Sequence, residues 1–410
     1  MKKTVQHFKS FSILCVLCTF VSQTNAQINY AKQMAATIMK QYKDSMVVKK
    51  YASHLEQDKL PQGNRPANWN YEIGVVLMGF ERLSKHTGDN TYMDYTKHIV
   101  DHFIKEDGSI RTYVMDEYNS DNIPPGRQLL HLHEMYKEEK YKIAAQTLRN
   151  QISIQPRNKA GGFWHKLKYP SQMWLDGLYM IEPFYAEHAV VNKTSEDFND
   201  IINQFVWMEK YSRDSKTGLL YHGWDESKLQ RWANKKTGVS PEFWSRSMGW
   251  YMMALVDVLD FIPANHPRRN ELIKILNRTT TALIKYQDAK SGVWWQVTDK
   301  AYKEKNYLES SATAMFVFSI AKGIRMKYLP ATFNTALQKA YNGMLKEFVK
   351  EDANGQYHYM QAVAGAGLGG IPYRDGTYEY YVNEPKRDDD LKAIGPFIQA
   401  CIEMELLKKK

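Results

Sequence analysis

Lys216-Thr217-Gly218-Leu219-Leu220-Tyr221-His222 is one of five variants of a single phrase in this chain, a turn built on glycine and followed by aromatic or branched residues. The others are Glu106-Asp107-Gly108-Ser109-Ile110-Arg111-Thr112-Tyr113, Ala160-Gly161-Gly162-Phe163-Trp164-His165, Lys290-Ser291-Gly292-Val293-Trp294-Trp295-Gln296 and Ala353-Asn354-Gly355-Gln356-Tyr357-His358-Tyr359. Gly108, Gly162, Gly218, Gly292 and Gly355 are separated by 54, 56, 74 and 63 residues, and each interval holds two helices with their loops. A supersecondary unit recurring at such spacing signals a repeat architecture.

The intervals read as helical. Asp197 to Tyr211 places Phe198, Ile201, Ile202, Phe205, Val206 and Met208 near the 3.6 period. Ser247 to Phe261 is apolar almost all round, as a helix covered on both sides should be. Arg269 to Tyr286, Ala312 to Tyr328 and Phe333 to Val349 continue the series, and Tyr30 to Glu56 and Glu72 to Glu106 bring the count to about six helical hairpins. No Pro/Gly/Ser linker divides them, so the expected architecture is all-α: one ring of six helix pairs, an (α/α)6 barrel spanning residues 27–410. Such a ring gathers its loops around a central mouth, and chemistry is expected just after the glycine turns and at the starts of the helices that follow.

Candidate side chains stand at those places. In Tyr169-Pro170-Ser171-Gln172-Met173-Trp174-Leu175-Asp176-Gly177-Leu178-Tyr179-Met180 one carboxyl, Asp176, sits in apolar company. Apolar surroundings favour a protonated carboxyl, as a general acid requires. The start of a helix favours the charged form instead, and the segment alone leaves both open. Asp121, in Ser120-Asp121-Asn122-Ile123-Pro124-Pro125-Gly126-Arg127, is either a second acid at the mouth or a helix cap. His165 and His222 occupy equivalent places after two of the turns. In Ser240 to Trp250, Arg246 and Trp250 share a helix face and Trp244 precedes them, so an Arg between two indoles can hold a carboxylate while the rings stack on a sugar. The alternative is two core tryptophans and an Arg that snorkels to solvent. Asn306 to Ser311 and Gly376 to Tyr381 read as mouth-lining loops without assignable roles, and Asp388-Asp389-Asp390 as a solvated charge run or N-cap before the last helix.

Residues 1–26 run from Lys2, Lys3 and Lys9 through the apolar stretch Phe11 to Val21 to Thr24-Asn25-Ala26, the pattern of a secretory signal peptide cut after Ala26. Export to the periplasm or beyond is expected, with no membrane span in the mature chain. These residues carry three of the 55 Lys and Arg and none of the 45 acids, so the remainder has a net charge of +7. Cys401 is the one cysteine after residue 26, which leaves no intramolecular disulfide there. No phosphate-cradling glycine loop, paired-Cys zinc site or His-Glu-x-x-His motif is present, and no basic run suits nucleic acid. The basic balance suits an anionic partner, and no metal or organic cofactor is expected.

Read together, Gln172 to Met180, Tyr221 to Asp225, Phe243 to Trp250, Asn306 to Ser311 and Gly376 to Tyr381 resemble glycoside hydrolase family 105, the unsaturated rhamnogalacturonyl hydrolases, and more distantly the unsaturated glucuronyl hydrolases of family 88. The resemblance implies the same six-hairpin barrel. It also implies an enzyme that removes a 4,5-unsaturated uronic acid from the non-reducing end of lyase-generated oligosaccharides by hydrating the C4=C5 bond. By that likeness Asp176 is the proton donor and Asp121 the second conserved acid, while His222, Trp244, Arg246 and Trp250, with His165 and Tyr71, match substrate-pocket positions. The chain departs from the family at Asp389-Asp390 and Ala393, where an Asn-Asp pair and a glycine are expected, and at Pro124-Pro125 beside Asp121. Other readings stay open: the same chemistry on arabinogalactan- or ulvan-derived glucuronides, a conventional inverting glycosidase or lyase using both acids, and a non-catalytic glycan-binding protein.

Overall fold

A computed structural model describes residues 27–43 and 68–409; the signal-peptide segment 1–26 and the second half of the expected Tyr30 to Glu56 helix lie outside them. Helices alternate between an outer and an inner layer. The outer ones are α1 (27–41), α3 (Thr91–Asp101), α5 (Glu139–Ile154), α7 (Asp197–Ser212), α9 (Arg269–Lys285) and α11 (Asn334–Phe348). The inner ones are α2 (Tyr71–Thr87), α4 (Gly126–Tyr136), α6 (Leu175–Asn192), α8 (Ser245–Val258), α10 (Ser310–Arg325) and, after the short α12 (Tyr378–Asn383), α13 (Leu391–Lys408). Each inner helix packs on the next, and α13 packs on both α10 and α2, which closes the ring. The (α/α)6 barrel expected from the repeat is the observed fold.

Burial explains the two layers. Every residue of α8 is buried, in keeping with an apolar surface all round, whereas α9 buries one stripe from Leu272 through Ile275, Leu276, Thr279 and Leu283. The Glu72 to Glu106 stretch is interrupted at Gly88, whose φ of 73° turns the chain out of α2 and into α3.

The five glycine turns join the end of an outer helix to the start of the next inner helix. Each is the tip of a very short hairpin, as in the bridges Ile104 to Ile110 and Arg213 to Leu220, or the pair formed by Val349–Glu351 and Tyr357–Tyr359. Gly108, Gly218, Gly292 and Gly355 have φ between 75° and 81°, where a Cβ is strained. In the second copy the left-handed residue is Gly161, with φ 102°, and not Gly162. Gly162 is required for a different reason: a Cβ there would fall 2.1 Å from the sulfur of Met173.

A charged layer crosses the barrel far below the mouth. Arg82, Glu187, Asp257, Lys322 and Glu403 each lie 11 or 12 residues past the first residue of an inner helix, about 18 Å along it. Asp257 accepts from Arg82 at 2.8 Å, from Arg127 at 2.9 Å and from Lys322 at 2.8 Å. Glu187 accepts from Arg127 and from His131, both at 2.6 Å, and His131 also meets Glu81 at 2.7 Å.

Candidate active site

The mouth ends of the inner helices surround a cavity of about 1190 Å³. Asp176 enters it because Trp174 ends a three-residue strand, β1 (Gln172–Trp174), and α6 begins at the very next residue. β1 pairs with β2 (Gly223–Asp225), and the amide of Leu175 donates to the carbonyl of His222 at 3.0 Å. This ladder sets the imidazole against the carboxyl: His222 Nε2 stands 3.1 Å from Asp176 Oδ2, out of hydrogen-bond alignment. On its far side His222 Nδ1 meets the Tyr381 hydroxyl at 2.7 Å. Burial holds that phenol well above its ordinary pKa, so it stays protonated.

Either ring nitrogen of His222 can carry the proton. With Nε2–H facing Asp176, the Tyr381 hydroxyl donates to Nδ1; with Nδ1–H donating to Tyr381, the bare Nε2 faces a protonated Asp176. The chain Asp176–His222–Tyr381 therefore accommodates both states of the carboxyl by exchanging tautomers. Tyr381→Phe removes this exchange while keeping the ring, which stacks on Trp244 at 5.9 Å. It is expected to lower kcat about tenfold with little change in KM, measurable by steady-state kinetics against pH.

Asp121 faces the same cavity from the turn before α4. Burial alone would raise its carboxyl, but the Lys166 ammonium, hydrogen-bonded to Oδ2, outweighs burial and holds it below the usual carboxylate range; His165 Nε2 stands 3.5 Å from Oδ1. It is not a cap: the backbone turn there is held by Asn119, which accepts from the Asp121 amide. Burial pushes the His165 ring down to about 4 in spite of Asp121, so the imidazole is neutral at physiological pH, and its Nδ1 meets Ser120 Oγ at 3.1 Å.

Aromatic rings wall the site. Trp174 stacks on His165 at 4.4 Å and on Tyr169 at 4.7 Å, while Trp244 packs on His222 at 4.7 Å. Met180 and Trp250, a turn deeper in α6 and α8, form the floor, and Tyr71 meets Trp250 edge-on at 6.1 Å. Arg246 lies 5.4 Å over the Trp244 ring and donates Nη2 to the carbonyl of Val363. It does not snorkel: it is 1% exposed, and its Nε and Nη1 have no hydrogen-bond partner among the described residues although the residue lines the cavity. A buried guanidinium with unused donors is costly unless an anion arrives.

All eight sequence candidates thus meet at one place, seven lining the cavity and His222 directly behind Asp176. Three residues went unassigned in the sequence. Tyr381 orients His222; Gln296, from the fourth glycine phrase, ties Trp244 Nε1 to the Tyr381 carbonyl; and Lys392, at the start of α13, lines the cavity while paired with Glu72 and Asp390 at 2.9 Å. The expected mouth loop Asn306 to Ser311 is scaffold instead. Buried Glu309 caps α10 by accepting from the amides of Ser311 and Ala312, and it also accepts from the amide of Val363. Of the two readings of Asp388 to Asp390, the N-cap holds and the solvated run does not: Asp390 caps α13, and Asp389 is buried and pairs with His358 at 2.7 Å.

A model of Glycosyl Hydrolase Family 88 matches residues 30–408. A solved glycoside hydrolase from family 105 of C. acetobutylicum is 41% identical, with a TM-score of 0.83 over 92% of this chain and 99% of that one. The unsaturated rhamnogalacturonyl hydrolase YesR of Bacillus subtilis is 28% identical over 252 residues, 60% of this chain and 68% of its own length. Protein Atu3128 of Agrobacterium fabrum is 36% identical over 233 residues, 55% of this chain and 99% of its own length. With a family 88 model matched over nearly its whole length and a family 105 enzyme at 41% identity, this chain belongs to the glycoside hydrolases of the family 88/105 group.

Proposed function

We propose that this enzyme removes a terminal 4,5-unsaturated uronic acid from oligosaccharides left by a polysaccharide lyase, with rhamnogalacturonan fragments as the first substrate to test. The observation that carries the reading is the pairing of Asp176, backed by His222 and Tyr381, with the unfilled donors of buried Arg246 in one cavity. A uronate carboxylate at Arg246 carries the C4=C5 bond on the adjacent carbon, and Asp176 lines the same cavity.

The Asp176 carboxyl gives its proton to C4, and positive charge develops at C5 and the ring oxygen. Asp176, now a carboxylate, and Asp121, kept ionised by Lys166, favour that charge. Water adds its oxygen to C5 and returns a proton to Asp176. The hemiketal so formed opens to a C5 ketone, and the hemiacetal left at C1 expels the neighbouring sugar. Residues 1–26 are read as directing the enzyme to the periplasm or beyond.

The test is to incubate the mature protein with lyase-generated unsaturated disaccharides and follow the ultraviolet absorbance of the conjugated double bond. Loss of absorbance with release of the leaving sugar supports the reading. Hydrolysis confined to saturated glycans would replace it with a conventional glycosidase, and binding without turnover with a glycan-binding role. Arg246→Gln is expected to raise KM for the unsaturated acid about a hundredfold, and far less for its carboxyl-reduced form.

A further inference from the structure

The inner part of the cavity is built from buried groups, whereas its rim carries cations that make no ion pair among the described residues. Lys168 and Arg374 both line the cavity, and neither stands at ion-pair distance from a carboxylate among the described residues. Asp121, on which Lys168 also acts, is already paired with Lys166, and Glu384, on which Arg374 acts, is held towards its neutral form by burial. The two rim cations act on one ring: Lys168 Nζ lies 5.3 Å and Arg374 Cζ 5.8 Å from the centre of Tyr169.

Arg374 is fixed there rather than waving in solvent. It donates to the Tyr169 hydroxyl at 2.5 Å and to the carbonyl of Gly369 at 2.9 Å, and its Cζ is 5.9 Å from the centre of Trp174, the ring that stacks on His165. The backbone of its own loop lies flat against it, since a Cβ on Gly367 would fall 2.2 Å from Nη1. The bridge between Gly369 and Arg374 closes this loop, whose tip, Ile371, is fully exposed on the cavity rim.

We infer that Lys168 and Arg374, on the ring of Tyr169, form a second anion site that takes a charged group on the leaving part of the substrate. The inference rests on the proposed unsaturated-uronate reading, which seats the terminal sugar at Arg246 on the closed floor and leaves the rim for the sugars beyond. A uronate carboxylate and a sulfate ester present the same chemistry to these two cations.

Three probes decide it: an unsaturated disaccharide with a neutral leaving sugar, an unsaturated tetrasaccharide with a uronate in its leaving part, and an unsaturated disaccharide whose leaving sugar is sulfated. Kd is measured calorimetrically on the Asp176→Asn background and kcat/KM on the otherwise native enzyme. The native protein is expected to prefer at least one charged probe over the neutral one, and the arm that shows the preference names the anion. Lys168→Gln and Arg374→Gln should each cut that preference about tenfold, and Lys168→Arg should restore it. Lys168 is exposed, so its variant decides the matter even if Arg374→Gln disturbs the loop. Equal affinity for all three probes, or a preference untouched by Lys168→Gln, overturns the site. Charge-dependent binding with no loss of absorbance would retain the site and refute the hydration chemistry.

Discussion

Asp176→Asn is expected to lower kcat/KM on an unsaturated disaccharide by about a thousandfold or more, with the unfolding temperature and Kd for the substrate nearly unchanged. Asparagine has the size of aspartate, and among the described residues Asp176 Oδ2 makes no aligned hydrogen bond whose loss would cost stability. What the amide lacks is a proton it can give to carbon. The substitution also removes the acceptor facing His222 Nε2, a small loss because the tautomer exchange with Tyr381 can turn the ring nitrogen to suit an amide. Steady-state kinetics beside a thermal melt check both halves. A variant that keeps a tenth of the activity, or one that unfolds, removes Asp176 from the role of proton donor.

Asp257→Asn is expected to destabilise the fold by about 3–5 kcal/mol, because it leaves Arg82, Arg127 and Lys322 facing a neutral side chain in a buried layer. Denaturant titration reads this directly, and a change below about 1 kcal/mol would show that the layer carries little net energy. The same layer sets the pH profile. Arg127 and His131 outweigh the burial of Glu187 and lower its pKa to about 2, so its contribution is present above the unfolded carboxylate value and lost as pH falls towards 2. Asp257 is lowered in the same direction by Arg82, Lys322 and Arg127 against its burial. His131 is raised to about 10: burial opposes this, but Glu187 and Glu81 prevail. Its contribution is present below the unfolded imidazole value and lost as pH rises through 10. Stability against pH should therefore show a plateau across neutrality with a limb on each side. An acid limb that persists unchanged in Asp257→Asn would place the titrating groups elsewhere.

The barrel was legible because its evidence is local and repeated. Each glycine phrase marks a hairpin tip, and the apolar spacing in Asp197 to Tyr211 locates α7 to within a residue of its observed end at Ser212. The candidate site was legible for the same reason, since helix starts after glycine turns are where a ring puts its mouth. Roles that depend on contacts across the ring were not. Tyr381 reaches His222 from 159 positions away, and Glu309 reads as a polar loop residue until its amide partners are seen. The charged layer was invisible because each helix contributes one or two charges to it. Asp257 lies inside the run from Met252 to Leu259, whose apolar character conceals it.

The ring closes through α13, which packs between α2 and α10, with Lys392 bonded to Glu72 from 320 positions away. Loop closure over such a span is slow compared with making any one helix hairpin, so closure is expected to come late in folding. Until α13 docks, the apolar flanks of α2 and α10 face water, and a chain caught in that state exposes a surface to which other chains can stick. Lys392 also lines the cavity, so the candidate site is completed by the same event that seals the core. A half-folded molecule therefore cannot be a half-active one: the candidate cavity and the finished barrel come into being together.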